Sequence, residues 1–379
     1  MSGQWSIVEH RGLDGLCALE SDWRRLTAAL PDPAAHHLFE VQRAWAACLR
    51  ADADLRYLAL NDGEQVRAIC PVQAGRQRVL GVPTGVWTLT LGRPDFLQDV
   101  LCPPGEAERV LLPLAASHLQ RAGSARALVM GRVLARSAAW RCLASVGRLR
   151  RSATLTEPCD EFDCRESFET LRGRLSRNFR GNLRKARNKL AALAGVEFAN
   201  VAAPVSREAA FETFLALEES GWKGGHGTRT ALRFSDRLVA FYRAIAALPA
   251  CEFNCVSAEG RCIASQLCLR TGGEYMVVKI AYDQQYERMA PGQLLMEWVL
   301  ERCCRDPGVE RLSLVTGSSW HADWRPVPTP AYWACVGLGP GGPLVSGLHR
   351  LRFRAGPALH RLLALGRRSG PPSRRSADA

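Results

Sequence analysis

The sequence predicts a mixed α/β chain built as two halves of similar architecture. Three observations predict it. Gly260–Cys304 reads strand, tight turn, strand, loop, helix. The elements around that stretch recur in a looser version of the same order in the first half. The length of 379 residues suits two domains.

Arg261–Leu269 is apolar and β-branched, Thr271-Gly272-Gly273 is a turn signal, and Glu274–Tyr282 is a second strand. After Asp283–Ala290, Pro291-Gly292 opens a helix that runs to about Arg305. Leu294, Leu295, Trp298, Val299 and Cys303 recur at three- and four-residue spacing and mark its buried face. Proline suits the first helical turn, where no N–H partner is needed. Gly292 allows a ligand close to the backbone. A helix N-terminus after a central strand is an anion site, and Arg288 adds a cation beside it.

In the first half, Ser21–Leu30 and Leu38–Arg50 read as helices. Leu55–Leu60 and Gln65–Val72 are strands joined by Asn61-Asp62-Gly63-Glu64, a hairpin signal. Val86–Leu91 and Ala125–Met130 are strands, and Glu106–Arg121 and Ala135–Val146 are helices. No basic, glycine-containing loop follows Val86–Leu91, so no anion site is expected in residues 1–150.

Arg150–Phe162 connects the halves. Glu166–Leu193 is a long basic helix that Gly173 and Gly181 weaken, so that two helices with a bend fit as well. Val196–Val201 is a strand, Arg207–Ser220 a helix capped by Ser206, and Gly221–Arg229 a glycine-rich loop. Phe234–Ala247 is a helix. Cys251–Ser257 begins a three-strand meander that ends at Tyr282. Arg311–Val315 and a last strand around Ala331–Val336 close the second half. The expected units are 1–150, 151–340 and a basic tail, 341–379.

Composition narrows the function. The net charge of +13 is concentrated in two stretches. Leu171–Leu193 carries eight Arg or Lys and no acid, and Leu344–Ala379 carries eight Arg and one Asp; the rest is close to neutral. No apolar run is long enough to span a membrane, and the N-terminus lacks an apolar signal core, so a cytoplasmic location is expected. The 14 cysteines form no CxxC pair and no zinc set with histidine, so they are expected to be reduced thiols, with no metal.

Taken together, SRNFRGNLRKARNKL, FLALEESGWKGGHGT, SQLCLRTGGEYMVVKIAYDQQYERMAPGQLLMEWVLE and RLSLVTG resemble the acetyltransferase domain of the GNAT superfamily, in its CelD-like and Fem-like branch. The match covers roughly residues 160–335. The resemblance implies two tandem GNAT-like domains, each a mostly antiparallel sheet flanked by helices, with the first a degenerate copy. It implies an acyl-CoA-dependent N-acyltransferase, using acetyl-CoA or another acyl-CoA. Arg288, Met289, Ala290, Pro291, Gly292 and Gln293 would hold the pyrophosphate. The acceptor would be an amine on a small molecule, an amino sugar or another cell-envelope or polysaccharide precursor. Fem-type relatives take aminoacyl-tRNA instead, which makes tRNA the second candidate donor. A non-catalytic binding protein of an envelope pathway is a third reading, and DNA binding is not expected.

Acyl transfer to an amine requires loss of a proton, an oxyanion donor and protonation of the departing thiolate. By resemblance the donor is the splayed strand Val277–Tyr282. Tyr282 or Tyr286 could protonate the thiolate, and Glu218 or His321 could accept the amine proton. Lys279 shares a side of its strand with Tyr275 and Val277 by period two, so it either reaches solvent at the sheet margin or binds substrate. Trp222, Lys223 and His226 form a candidate substrate flap. On the basic helix, Arg180 and Arg184 are candidates for an anionic substrate or the cofactor phosphates. Leu344–Leu365 alternates apolar and basic residues, as in segments that lie on an anionic membrane at its inner face, or it is a terminal helix packed on the domain.

Overall fold

The computed structural model describes residues 5–79, 82–92, 96–123, 125–221, 223–225 and 227–351. The first half runs β1 (Trp5–Arg11), α1 (Gly12–Ala18), α2 (Glu20–Ala28), α3 (Phe39–Leu49), β2 (Leu55–Asp62), β3 (Gln65–Val79), β4 (Val82–Leu89), α4 (Ala107–Arg121), β5 (Ala127–Leu134), α5 (Ala138–Leu143) and β6 (Arg151–Leu155). The second runs β7 (Cys159–Asp163), α6 (Phe168–Gly173), α7 (Arg177–Leu190), β8 (Glu197–Val201), α8 (Pro204–Ser220), α9 (Asp236–Ala246), β9 (Cys251–Ala258), β10 (Arg261–Thr271), β11 (Glu274–Tyr282), α10 (Pro291–Arg305), β12 (Arg311–Ser313), β13 (Val327–Thr329) and β14 (Ala331–Gly337). A final helix, α11, spans 342–351.

These strands form two seven-stranded sheets, β1-β2-β3-β4-β5-β14-β6 and β13-β7-β12-β11-β10-β9-β8. Each has a single parallel contact, β4 with β5 and β11 with β12, and is otherwise antiparallel. The two sheets repeat one plan. In both, a three-strand meander is followed by a helix and then a parallel strand.

The strand expected to end the second half does not pair there. β14 lies between β5 and β6 of the first sheet, with Ala331 opposite Leu134 and Tyr332 opposite Leu155. The expected connector Arg150–Phe162 is itself two strands, one in each sheet.

The basic helix divides at Arg174–Leu175, where the Ser176 hydroxyl accepts from Phe179 N–H and starts α7 afresh. Helix α8 begins at Pro204 in the first turn, so Ser206 lies inside it and is not its cap.

A shared apolar core joins the halves. Trp23, Phe39 and Tyr57 from the first half cluster with Phe211, Phe241 and Phe253 from the second, and Phe96 meets Phe241 edge-on at 5.9 Å. A partly buried ionic cluster lies beside it. Arg136 donates to both oxygens of Glu161, at 2.9 and 2.7 Å, and to Asp32 at 3.1 Å; Arg311 donates to Asp32 at 2.7 Å. Glu274 is fully buried 3.5–3.6 Å from both guanidinium groups. Burial raises its pKa despite those cations.

Candidate functional site

Strand β11 parts from β12 early. The two pair only from Glu274–Arg311 to Met276–Ser313, so Val277–Tyr282 runs on without a partner on that side. A bulge accompanies the parting: Leu267 faces Lys279 while Cys268 faces Val277. The extra residue breaks the period-two pattern. Tyr275 and Val277 point into the core beneath α10, whereas Met276 and Val278 point into the shared core. Lys279 lies on the latter side, its ammonium 5.3 Å from the ring centre of Tyr242 on α9. It therefore does not share a side with Tyr275 and Val277, and it does not line the site cavity.

A cavity of roughly 390 Å³ opens where β11 diverges. Its walls come from the end of α8, the middle of β10, Ile280–Tyr282 of β11 and the start of α10. Of the residues expected at a pyrophosphate loop, Ala290, Pro291, Gly292 and Gln293 line it; Met289 packs into the core beneath α10, and Arg288 is exposed outside the lining.

Helix α10 starts sharply. Ala290 adopts left-handed φ 45° and ψ 51°, and its carbonyl accepts from the N–H groups of Gln293 at 3.0 Å and Leu294 at 3.1 Å. Pro291 has no N–H. The Gly292 amide is then the first-turn donor with no backbone acceptor among the described residues, a narrower anion site than an open helix start offers. A Cβ on Gly292 would meet only the Tyr282 ring, at 3.8 Å, so this glycine keeps space on the cavity side open. The indole N–H of Trp324 donates to Gln293 at 2.6 Å and fixes the other flank. Phe179 of α7 stacks edge-on against Trp324 at 5.2 Å.

The far wall carries charge. Glu218 is buried, and its two oxygens accept from Lys223 Nζ and from the Leu232 N–H, each at 2.8 Å. Lys223 also reaches the Ile280 carbonyl at 3.3 Å. The loop expected as a flap is folded over its described part. Gly224 N–H donates to the Gly221 carbonyl, Thr230 and Ala231 donate to the Lys223 carbonyl, and a Cβ on Gly224 would overlap the Glu219 carbonyl. Trp222 and His226 lie outside the described residues.

Two candidates fall away from the cavity. His321 is buried with Nδ1 against Asp160 at 2.8 Å, and burial lowers its pKa although Asp160 opposes the shift. Its neighbour Trp320 lines the cavity instead. Tyr286 donates to Glu259 at 2.6 Å and accepts from Arg261, so its hydroxyl is committed. Tyr282 remains. Burial, and then the charge of Glu287, raise its pKa, which keeps the phenol protonated.

Gln266 is a cavity residue that the sequence reading missed. It is buried, lines the wall from β10, and its Oε1 finds no hydrogen-bond partner among the described residues. A glutamine in the middle of the apolar run RCIASQLCL was the available signal, because buried polar groups are ordinarily satisfied.

Arg180 and Arg184 do not reach the cavity. With Arg172, Arg177 and Lys185 they line a shallow surface groove along α7. Helix α7 nonetheless abuts the site, since Lys189 donates to the Arg288 carbonyl at 3.4 Å. Arg187 pairs with buried Glu297 at 2.6 Å. Among the described residues, no carboxylate pairs with Arg177, Arg184 or Lys185.

In the first half a smaller space of roughly 120 Å³ beside the start of α5 is lined by His36, His37, Asp99 and Arg136. These ligand types group closely enough for a metal, but the hydrogen bonds oppose one. Ala34 N–H donates to His37 Nδ1 at 3.0 Å, so Nε2 carries the proton and donates to Asp99. Asp99 also accepts from the amides of Val100, Ala138 and Ala139.

Comparison with known proteins agrees with this geometry. A family model described as an acetyltransferase (GNAT) domain matches residues 177–324. No curated protein matches the chain. Among solved structures, FemX aligns at 12% identity and TM-score 0.56, over 83% of this chain and 95% of its own. A conserved protein of unknown function from Bacteroides thetaiotaomicron aligns at 13% and 0.55, over 84% and 97%. The C-terminal domain of a putative lysylphosphatidylglycerol synthetase from Agrobacterium fabrum aligns at 14% and 0.51, over 87% and 97%. Residues 177–324 thus match a GNAT domain model, and the first half repeats the strand plan of that domain, a tandem GNAT-like fold.

Proposed function

We propose that the chain is an acyl-CoA-dependent N-acyltransferase working in the cavity between β11 and α10. Acyl-CoA supplies a thioester whose acyl group passes to an amine nitrogen. The observation that carries this reading is the cavity of roughly 390 Å³ that opens where Val277–Tyr282 leaves β12 and that holds both the free edge of that strand and the start of α10. A cavity with a few convergent polar groups beside a free strand edge and a helix start suits a ligand that carries both phosphate and a carbonyl.

The residues divide by wall. The Gly292 amide, with Arg288 outside the lining, suits phosphate. The unpaired edge of Val277–Tyr282 offers backbone N–H donors to a developing oxyanion. Tyr282 holds a proton for the departing sulfur. Glu218 accepts the proton from the amine, and Lys223 orients its carboxylate. The acceptor class is a primary amine on a small molecule or glycan precursor of the cell envelope.

The likeness to FemX and the unpaired cations of α7 favour a second reading, in which aminoacyl-tRNA is the donor. Calorimetry with acetyl-CoA, longer acyl-CoAs and charged tRNA separates the two. Acyl-CoA binding that Gly292→Asp weakens supports the first reading. Charged tRNA binding without any acyl-CoA binding replaces it with the second. Acyl-CoA binding with no turnover on any amine leaves a binding protein.

A further inference from the structure

Helix α11 is inside out. Leu344, Leu348 and Leu351 recur at i, i+4 and i+7, which places them on one face. Leu344 is 67% exposed and Leu351 58%, while Ser346 and His349, on the opposite face, are 1% and 5% exposed. The polar side chains hold the helix to the body. Ser346 donates to the Leu149 carbonyl at 2.6 Å, and His349 Nδ1 meets the Ser152 hydroxyl at 3.0 Å. Leu149, beside this anchor, is 78% exposed. A helix that turns its hydroxyl and imidazole inward and Leu344 and Leu351 outward is not arranged for water.

The charge around this face selects its partner. Arg148, Arg150 and Arg350 are exposed here, and Arg350 donates to the Arg151 carbonyl at 3.1 Å, which keeps it beside the helix. The sequence from Leu344 onward holds eight arginines against one aspartate. A second copy of this chain would set arginines against arginines. An anionic lipid surface accepts leucines below its headgroups and pairs arginines with its phosphates.

We propose that the outward face of α11, with Leu149 beside it, docks on an anionic membrane surface. The docked protein lies on the bilayer without crossing it, since no helix among the described residues is long and apolar enough to span.

The test is sedimentation of the full chain with vesicles of phosphatidylcholine alone or mixed with an equal part of phosphatidylglycerol. Partitioning to the anionic vesicles is expected to be about tenfold stronger or more, because each arginine near such a surface contributes on the order of 1 kcal/mol, and to fall in high salt. Leu344→Glu with Leu351→Glu removes most of the binding. The melting temperature stays unchanged because both side chains are exposed. Equal binding to both vesicle types, or no loss in the double variant, overturns the proposal. So does light scattering that shows a wild-type dimer which the same variant abolishes, since the face would then be a contact between copies.

Discussion

Lys223 Nζ lies 2.8 Å from Glu218 Oε1, and the same ammonium reaches the Ile280 carbonyl of the splayed strand. A buried carboxylate is thereby locked against the one stretch of β11 that has left its neighbour. Glu218→Gln keeps the size and one acceptor for the Leu232 amide but loses the base. The expected result is a fall in kcat of about 10²–10⁴-fold with KM little changed. Steady-state kinetics checks it, with the circular dichroism melt as control; a kcat within a factor of two of wild type removes Glu218 from the mechanism.

Gly292 separates fold from ligand. Its missing side chain faces only the Tyr282 ring at 3.8 Å, so Gly292→Ala leaves the melt within about 0.5 kcal/mol of wild type. Gly292→Asp adds a carboxylate beside the helix start and is expected to raise the Kd for acyl-CoA by about tenfold or more, roughly 1.4 kcal/mol. Calorimetry measures both variants. One acyl-CoA per chain is the expected stoichiometry, since no basic, glycine-containing loop follows Val86–Leu91 in the first half.

Tyr282 holds its proton beyond the usual range, because burial and the Glu287 charge both disfavour the phenolate. Activity is therefore expected to show no loss from this group up to about pH 10. Tyr282→Phe lowers kcat about 10²-fold or more across the profile. A variant with unchanged kcat assigns the thiolate proton to another donor.

Stability is expected to fall on mild acidification. Burial depresses the pKa of His36, helped by the neighbouring His37, and burial also depresses His321. Below the ordinary histidine value of 6.5, the unfolded chain takes up protons that these folded imidazoles refuse. Stability fully present above about pH 6.5 is lost as the pH falls toward the folded values, by up to about 1.4 kcal/mol per pH unit per group. Thermal melts at pH 7.5, 6.5 and 5.5, roughly spanning that window, check the slope. His36→Gln should flatten it, and an unchanged slope would assign the loss to other groups.

The α7 cations differ in what they do. Arg187 neutralises buried Glu297, so Arg187→Gln is expected to destabilise the domain. Arg177, Arg184 and Lys185 changed together to Gln should leave the melt unchanged and weaken binding of polyanions such as bulk tRNA, with a shallower salt dependence. Filter binding measures the second effect. If the triple variant also melts early, these charges hold the fold together.

What the sequence revealed was local. The meander from Cys251 to Tyr282, the Pro291 helix and the basic helix all announce themselves through periodicity, turn residues and caps, and all are present. Sheet membership is not local, and nothing in AYWACVG names β5 as its partner. The side of Lys279 was misread for a related reason: one bulged residue opposite Leu267 and Cys268 reverses the alternation, and pairing registers are invisible in one strand. Gln266 was visible as a polar residue in an apolar strand. That its carbonyl is orphaned depends on neighbours far away in sequence.

The place of β14 constrains how the protein is made. The first sheet needs Ala331–Gly337 between β5 and β6, yet that strand leaves the ribosome after the whole GNAT domain. Until then β5 and β6 have an unfilled slot between them, with exposed backbone groups open to misplaced strands. Synthesis order and assembly order are therefore reversed: the domain begun first is the one finished last.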